Sequence, residues 1–285
     1  MDKLLPLGLA FIMFAIGLGL KPADFSRVFR QPRAMVAGLV NQLVLLPLLG
    51  AAVIAGYSGR PDFALGIMIL AASPGGITSN LLTTLAGGNA ALSVSMTALT
   101  SLASVVSVPL ILDLSQRHLL GSSHPVAMPV GMIMGSILVV TALPIVVGMG
   151  LQKWKTRWAD WLRPKARQMA TIVFAMIVAS AFVGQMDNIV GNFLDIGPRL
   201  MVLNVATMAL GFYSARALKL DGPDAIAISL ECGLQNAALA IFVAVSVLGN
   251  PVLVVPAITY ALVMNITAGA FIFWARRPRL SAVQD

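Results

Sequence analysis

Ser229-Leu230-Glu231-Cys232-Gly233-Leu234-Gln235-Asn236 lies in the middle of an apolar segment running from 225 to 248, and its glutamate is the only one in the chain. A carboxylate near the middle of a bilayer costs roughly 2.5 to 3.5 kcal/mol on insertion scales, and it is tolerated where it faces a protein interior and has a partner. No Lys or Arg falls in the interior of any apolar segment identified below; Lys3 and Arg199 stand at segment ends. The partner is then a bound cation or a proton. One acid, one glycine and two amides at hydrocarbon depth read as an ion site.

Of the 285 residues, 58% are hydrophobic and 11% charged, and the mean hydropathy is +0.90. These values exclude an ordinary soluble domain and place the chain in the polytopic helical membrane class. A net charge of +8 and a pI near 10.3 would suit nucleic acid, but the charges are distributed as membrane flanks. The single cysteine, Cys232, excludes an intrachain disulfide. The first apolar run has no basic leader beyond Lys3 and no small-x-small cleavage site before Lys21, so it reads as a retained transmembrane helix.

A span needs about 20 mostly apolar residues. Clusters of charge, Gly and Pro delimit nine such segments: 3–20, 34–56, 63–86, 90–112, 127–151, 168–186, 198–215, 225–248 and 252–275. The basic residues test this count, because an error of one helix would scramble their alternation between loops. The loops after spans 1, 5 and 7 and the C-terminal tail hold 15 of the 19 Lys and Arg residues, against Lys3, Arg60, Arg117 and Arg199 on the other side. The loop Gly87-Gly88-Asn89 carries no charge. The bias predicts a multi-pass inner-membrane protein with its N-terminus outside and its C-terminus in the cytoplasm.

In the basic stretch 152–168, Trp154, Trp158 and Trp161 recur at helical spacing among Lys and Arg. Between two spans this pattern describes a helix lying among lipid headgroups, not a nucleic-acid surface. His118 and His124 fall in the outer loop 113–126 and are read as solvated, since a metal site needs more ligands than that loop offers.

Span 3 contains Ala72-Ser73-Pro74-Gly75-Gly76-Ile77-Thr78-Ser79-Asn80. Proline removes a helical hydrogen bond and clashes with the preceding turn, and glycine has little preference for helix, so the span is expected to unwind here. Unpaired backbone at membrane depth requires a protein or polar lining, which Thr78, Ser79 and Asn80 supply. Span 8 holds the second expected break, around Glu231-Cys232-Gly233. Spans 3 and 8 are five elements apart and so cross in opposite directions. Paired broken helices in two inverted halves point to the binding site of a secondary transporter; the inversion follows from topology, without a residue-level repeat. In span 4, Ser93 and Thr97 are one turn apart and share a face, where each hydroxyl serves either a site or its own helix backbone. Asn41 and Gln42 are further amides at depth in span 2.

At Pro74-Gly75-Gly76 with Ser79-Asn80, at Ser93 and Thr97, and at Glu231-x-Gly233-x-Gln235-Asn236, the chain resembles the bile acid:sodium symporter family, which includes bacterial homologues of the intestinal bile acid carrier. The resemblance extends from Phe11-Ile12-Met13-Phe14-Ala15-Ile16-Gly17 to Asn265. It implies an all-α fold of inverted repeats with two crossing discontinuous helices, spans 3 and 8. A panel domain (about 1–56 and 127–186) would move against a core domain (about 63–112 and 198–275). It implies two Na⁺ sites, one from Ser79, Asn80, Ser93, Thr97 and Glu231, the other from Gln42, Glu231 and Gln235 with the carbonyls of Cys232 and Leu234. An anionic substrate would bind near Ile77, Thr78, Asn236 and Asn265. The chain departs from the family in having nine spans where many bacterial members have ten, in Ile77 where relatives often carry threonine, and in Met264 before Asn265.

The function expected is Na⁺-coupled import of an organic anion by alternating access, the solute being bile-acid-like or a small carboxylate such as pantoate or a 2-keto acid. A proton-coupled carrier with Glu231 titrating is the alternative, followed by an arsenite-type oxyanion efflux carrier in which Cys232 would be the thiol. No Ser/His/Asp, Cys/His or paired-acid arrangement lies within the spans, so an enzyme is not expected.

Overall fold

The computed structural model describes residues 4–26, 31–57, 59–118 and 129–276. Lys3, Arg27, Arg30, His124, Arg277, Arg279 and the His118 side chain, which enter the charge and histidine readings, lie outside the described residues. Those residues are all-helical, with no β-strand. Six helices are long and apolar enough to cross a membrane: α2 (Pro32–Ile54), α4 (Ala90–His118), α5 (Val130–Trp154), α6 (Thr156–Gly184), α7 (Met186–Ala217) and α9 (Pro251–Ala275). Shorter apolar helices are α1 (Leu4–Gly17), α3a (Pro61–Ala72) and α8b (Ala237–Val247), and α3b (Ile77–Leu85) and α8a (Gly222–Gly233) complete two interrupted pairs.

Both interruptions have local causes. After Ala72 the backbone turns extended, with ψ 148° at Ser73 and 164° at Gly76, and helix resumes at Ile77. This is the Pro-Gly-Gly element, where proline denies the helix a donor and the glycines do not restore it. The second interruption falls one turn later than expected. Glu231, Cys232 and Gly233 remain helical, and the break occupies Leu234, Gln235 and Asn236. Asn236 decides this position: its side chain caps the next helix by accepting from Leu239 N at 3.0 Å.

Two long helices widen into a π turn, Asn41–Leu45 in α2 and Leu138–Ala142 in α5. Each π turn ends two residues before a proline, Pro47 or Pro144. A proline ring clashes with the carbonyl four residues earlier, and a wider turn relieves that contact.

Two expected boundaries differ. No separate headgroup-level helix precedes α6: after a single kinked residue, Lys155, the helix runs unbroken from Thr156 to Gly184, with Trp158 and Trp161 exposed on its first turns. Similarly, α7 begins at Met186 and not at 198, only Gln185 separating it from α6. Hydropathy marks where a helix is apolar, and these two continue as polar helix past that limit.

Packing sorts the helices. α1 lies against α5 and α6, whereas α7 lies against α8a and α9, and α4 lies against α3a, α3b and α8a and also against α5. The partners of α2 are α3a, α4, α7 and α8a. The reason is steric: Gly38 brings α2 onto Met96 of α4, and a β-carbon at Gly50 would stand 2.8 Å from the Ala71 β-carbon of α3a. Small residues let helix backbones approach closely in this way. At one end of the bundle, Tyr57 donates to Asp195 of α7 at 2.7 Å. Burial, with the Asp195 carboxylate accepting its proton, pushes this phenol up to about 12.

Substituting Gly50→Val is expected to separate α2 from α3a and to cost about 1–3 kcal/mol, as overpacking does. Its check is the melting temperature of the purified protein in detergent, which should fall by several degrees.

Candidate ion-binding site

The two breaks meet. Gly76 N donates to Leu234 O at 2.7 Å and Asn236 N to Pro74 O at 2.8 Å, so Gly75 and Gln235 face each other as one antiparallel bridge. Other carbonyls at the breaks are also satisfied. Ser73 O accepts from Gln42 Nε2 at 3.1 Å, Gly76 O from the Ser79 hydroxyl at 2.7 Å, and Cys232 O from Gln235 Nε2 at 2.6 Å. Gly233 O takes two bonds, from Asn204 Nδ2 at 2.8 Å and the Tyr260 hydroxyl at 3.0 Å. Such pairing is what irregular backbone at membrane depth requires.

Beside this bridge the fully buried Glu231 directs its carboxylate at α4. Ser93 Oγ lies 2.8 Å from Oε2 and Thr97 Oγ1 2.5 Å from Oε1. Asn80 Oδ1 stands 2.8 Å from the same Ser93 hydroxyl and 3.3 Å from Thr97 Oγ1. Ser79, on the first turn of α3b, lies beside the carboxylate. Gly75 is indispensable to this approach, because any β-carbon there would overlap Glu231 Oε1. The structure thus brings Ser79, Asn80, Ser93, Thr97 and Glu231 into one cluster.

Proton counting shows what the cluster lacks. A hydroxyl has one proton and a carboxylate none. The protons of Ser93 and Thr97 face three side-chain oxygens: both of Glu231 and that of Asn80. Thr97 also approaches Ser93 O at 3.0 Å, its own-helix alternative, and the Ser79 hydroxyl serves Gly76 O. Among the described residues no ion pair reaches Glu231. With Glu231 ionised, the result is an excess of oxygen lone pairs with one negative charge around a fully buried carboxylate, which a proton or a cation would balance. That donor set fits a hard cation; among the described residues no group of three or more His, Cys, Asp or Glu side chains offers a transition-metal site.

A second oxygen-rich cluster adjoins it. Gln42 Nε2, in the π turn of α2, lies 2.8 Å from Gln235 Oε1 as well as 3.1 Å from Ser73 O, while Gln42 Oε1 is buried without a hydrogen bond. Gln42, Gln235 and Cys232 O are therefore together, and Leu234 O is one residue away with one lone pair committed to Gly76. Cys232 is a free, buried thiol. Of the residues assigned to substrate, Ile77 and Thr78 are half-buried at the start of α3b, where first-turn amides have no partner within the helix. Asn236 is buried, and its Nδ2 has no hydrogen bond. Asn265 is exposed and bonds Ala261 O of its own helix.

Asn204, Tyr260 and Thr267 were not singled out from the sequence. Their signal was available: Asn204 is an amide inside the apolar run 198–215, and Tyr260 is a hydroxyl inside 252–275.

Comparisons with known proteins identify the family. The sodium bile acid symporter family profile matches residues 6–192, and the chain belongs to that family. It is 28% identical over 270 residues to the uncharacterized sodium-dependent transporter YocS of Bacillus subtilis, covering 94% of this chain and 82% of that protein. It is 30% identical over 278 residues to the probable chloroplastic sodium/metabolite cotransporter BASS2 of Oryza sativa, and 26% over 273 residues to BASS1 of Arabidopsis thaliana. Those alignments cover 96% and 94% of this chain but 64% and 66% of the plant proteins, so the chain spans just under two thirds of their length.

Replacing Glu231 by Gln keeps the shape and removes the desolvated charge. In choline chloride, without Na⁺, Glu231→Gln is expected to melt above the unsubstituted protein, by on the order of 1–4 kcal/mol of stability. A lower melting temperature would show that a fixed positive partner had been lost.

Proposed function

We propose that this chain is a Na⁺-coupled symporter that imports a small organic anion across the inner membrane by alternating access. The observation that carries the reading is the isolation of Glu231: a buried carboxylate, ringed by oxygens, with too few protons and, among the described residues, no fixed cation to balance it. Na⁺ supplies the missing charge and takes oxygen ligands readily.

In this reading one Na⁺ binds Ser79, Asn80, Ser93, Thr97 and Glu231. The second binds Gln42, Glu231 and Gln235 with the carbonyls of Cys232 and Leu234, displacing the Gln42 amide nitrogen that now lies between oxygens. Neutralising Glu231 and tying α3b, α4 and α8a together prepares the outer side of the bridge for an anion. There the first-turn amides of Ile77 and Thr78 and the unpaired Nδ2 of Asn236 are donors of the right sign, with Asn265 nearby along the path. The nine-span topology, N-terminus outside and C-terminus cytoplasmic, treats α3a with α3b and α8a with α8b as two crossing broken spans. The packing partners of α2 favour placing it with the core helices α3, α4, α7, α8 and α9, which move against a panel of α1, α5 and α6. The sodium-dependent relatives support the coupling ion; the solute is a carboxylate-sized anion by the chemistry of the donors.

Purified protein should melt at higher temperature as NaCl replaces choline chloride at constant ionic strength and pH, because a ligand that binds only the folded state stabilises it. Glu231→Gln should abolish that shift, and Gln42→Ala should move its midpoint to higher Na⁺ by about tenfold. Stabilisation that follows pH and ignores Na⁺ would instead assign the coupling to protons.

A further inference from the structure

Of the three carbonyls around the α8 break, the middle one points away from the cation cluster. Gly233 O is held by two donors from other helices, Asn204 Nδ2 of α7 at 2.8 Å and the Tyr260 hydroxyl of α9 at 3.0 Å. Both lone pairs of that oxygen are therefore used. Asn204 and Tyr260 also bond each other at 2.9 Å, and Thr267 Oγ1 lies 2.5 Å from Asn204 Oδ1. The carbonyl sets the orientation of the amide: Gly233 O can only accept, so Nδ2 faces it and Oδ1 faces Thr267, whose hydroxyl also lies 3.0 Å from Val263 O and 3.1 Å from Met264 O of its own helix. Asn204 and Tyr260 are completely buried. Gly233 has no side chain because Met208, one turn from Asn204 on α7, packs directly on its α-carbon.

A peptide carbonyl cannot turn without turning the plane it belongs to. Pinning Gly233 O fixes the Gly233–Leu234 peptide, whose N–H donates to Leu230 O at 3.0 Å. Cys232 O is thereby left toward Gln235, and Leu234 O toward Gly76. We infer that Asn204, Tyr260 and Thr267 form a positioning network that aims the Cys232 and Leu234 carbonyls at the second cation. The inference rests on the sodium reading above and adds to it three residues on α7 and α9 that touch no ion. It also gives α7 and α9 a part in ion affinity, which their place outside the two oxygen clusters would not suggest.

The test uses the full chain with NaCl against choline chloride, read as the Na⁺ concentration that gives half the maximal thermal stabilisation. Tyr260→Phe keeps the ring and deletes one donor; Thr267→Val keeps the shape and releases the Asn204 amide. Both should raise the half-saturating Na⁺ concentration by about tenfold, as loss of groups that orient metal ligands does, while Thr267→Ser restores it. Loss of packing alone would lower the melting temperature in choline and leave the half-saturating concentration unchanged, and that outcome overturns the network. An unsubstituted protein that Na⁺ does not stabilise overturns the sodium reading and the network with it. A sodium-responsive protein whose Tyr260→Phe and Thr267→Val forms titrate normally overturns the network alone.

Discussion

A single carboxylate removed from water constrains everything near it. Glu231 is fully buried, and low-dielectric surroundings make an uncompensated charge there expensive. The neighbouring residues are explained by that expense. Gly75 is a glycine because the carboxylate lies against its α-carbon. Ser93 and Thr97 are hydroxyls one turn apart because each carboxylate oxygen takes one of them. These contacts spread the charge without cancelling it, which is the physical basis for a cation there.

The breaks in α3 and α8 obey a second constraint, that polar backbone in hydrocarbon must be paired. Five helices meet this demand. The broken pairs supply each other's bonds, α2 contributes Gln42, and α7 and α9 contribute Asn204 and Tyr260. The site is thus held from several sides, and the small residues of α2 and of Gly233 are what bring those sides within reach.

Much of this was legible in the sequence because the signals are chemical oddities in an apolar background. Pro74-Gly75-Gly76 announces a break, and Glu231 has nothing like it elsewhere in the chain. What escaped reading has physical reasons. The α8 break fell at 234–236 because Asn236 caps the following helix, while Gly233 stays helical despite its weak preference. α6 and α7 extend beyond their apolar stretches because hydropathy reports the solvent a residue prefers, not the hydrogen bonding of its backbone. Asn204 and Tyr260 stood in view as polar residues in apolar runs, but only the fold shows that they converge on one carbonyl.

The reciprocal bonds Gly76–Leu234 and Asn236–Pro74 have a mechanical meaning. Prying them open would strand two donors and two acceptors in a dry interior, each loss worth roughly 1–3 kcal/mol. The two breaks are therefore fastened to each other, and any displacement of one carries the other with it. Flexure must be taken up by joints that water can reach, such as the single-residue elbow at Gln185.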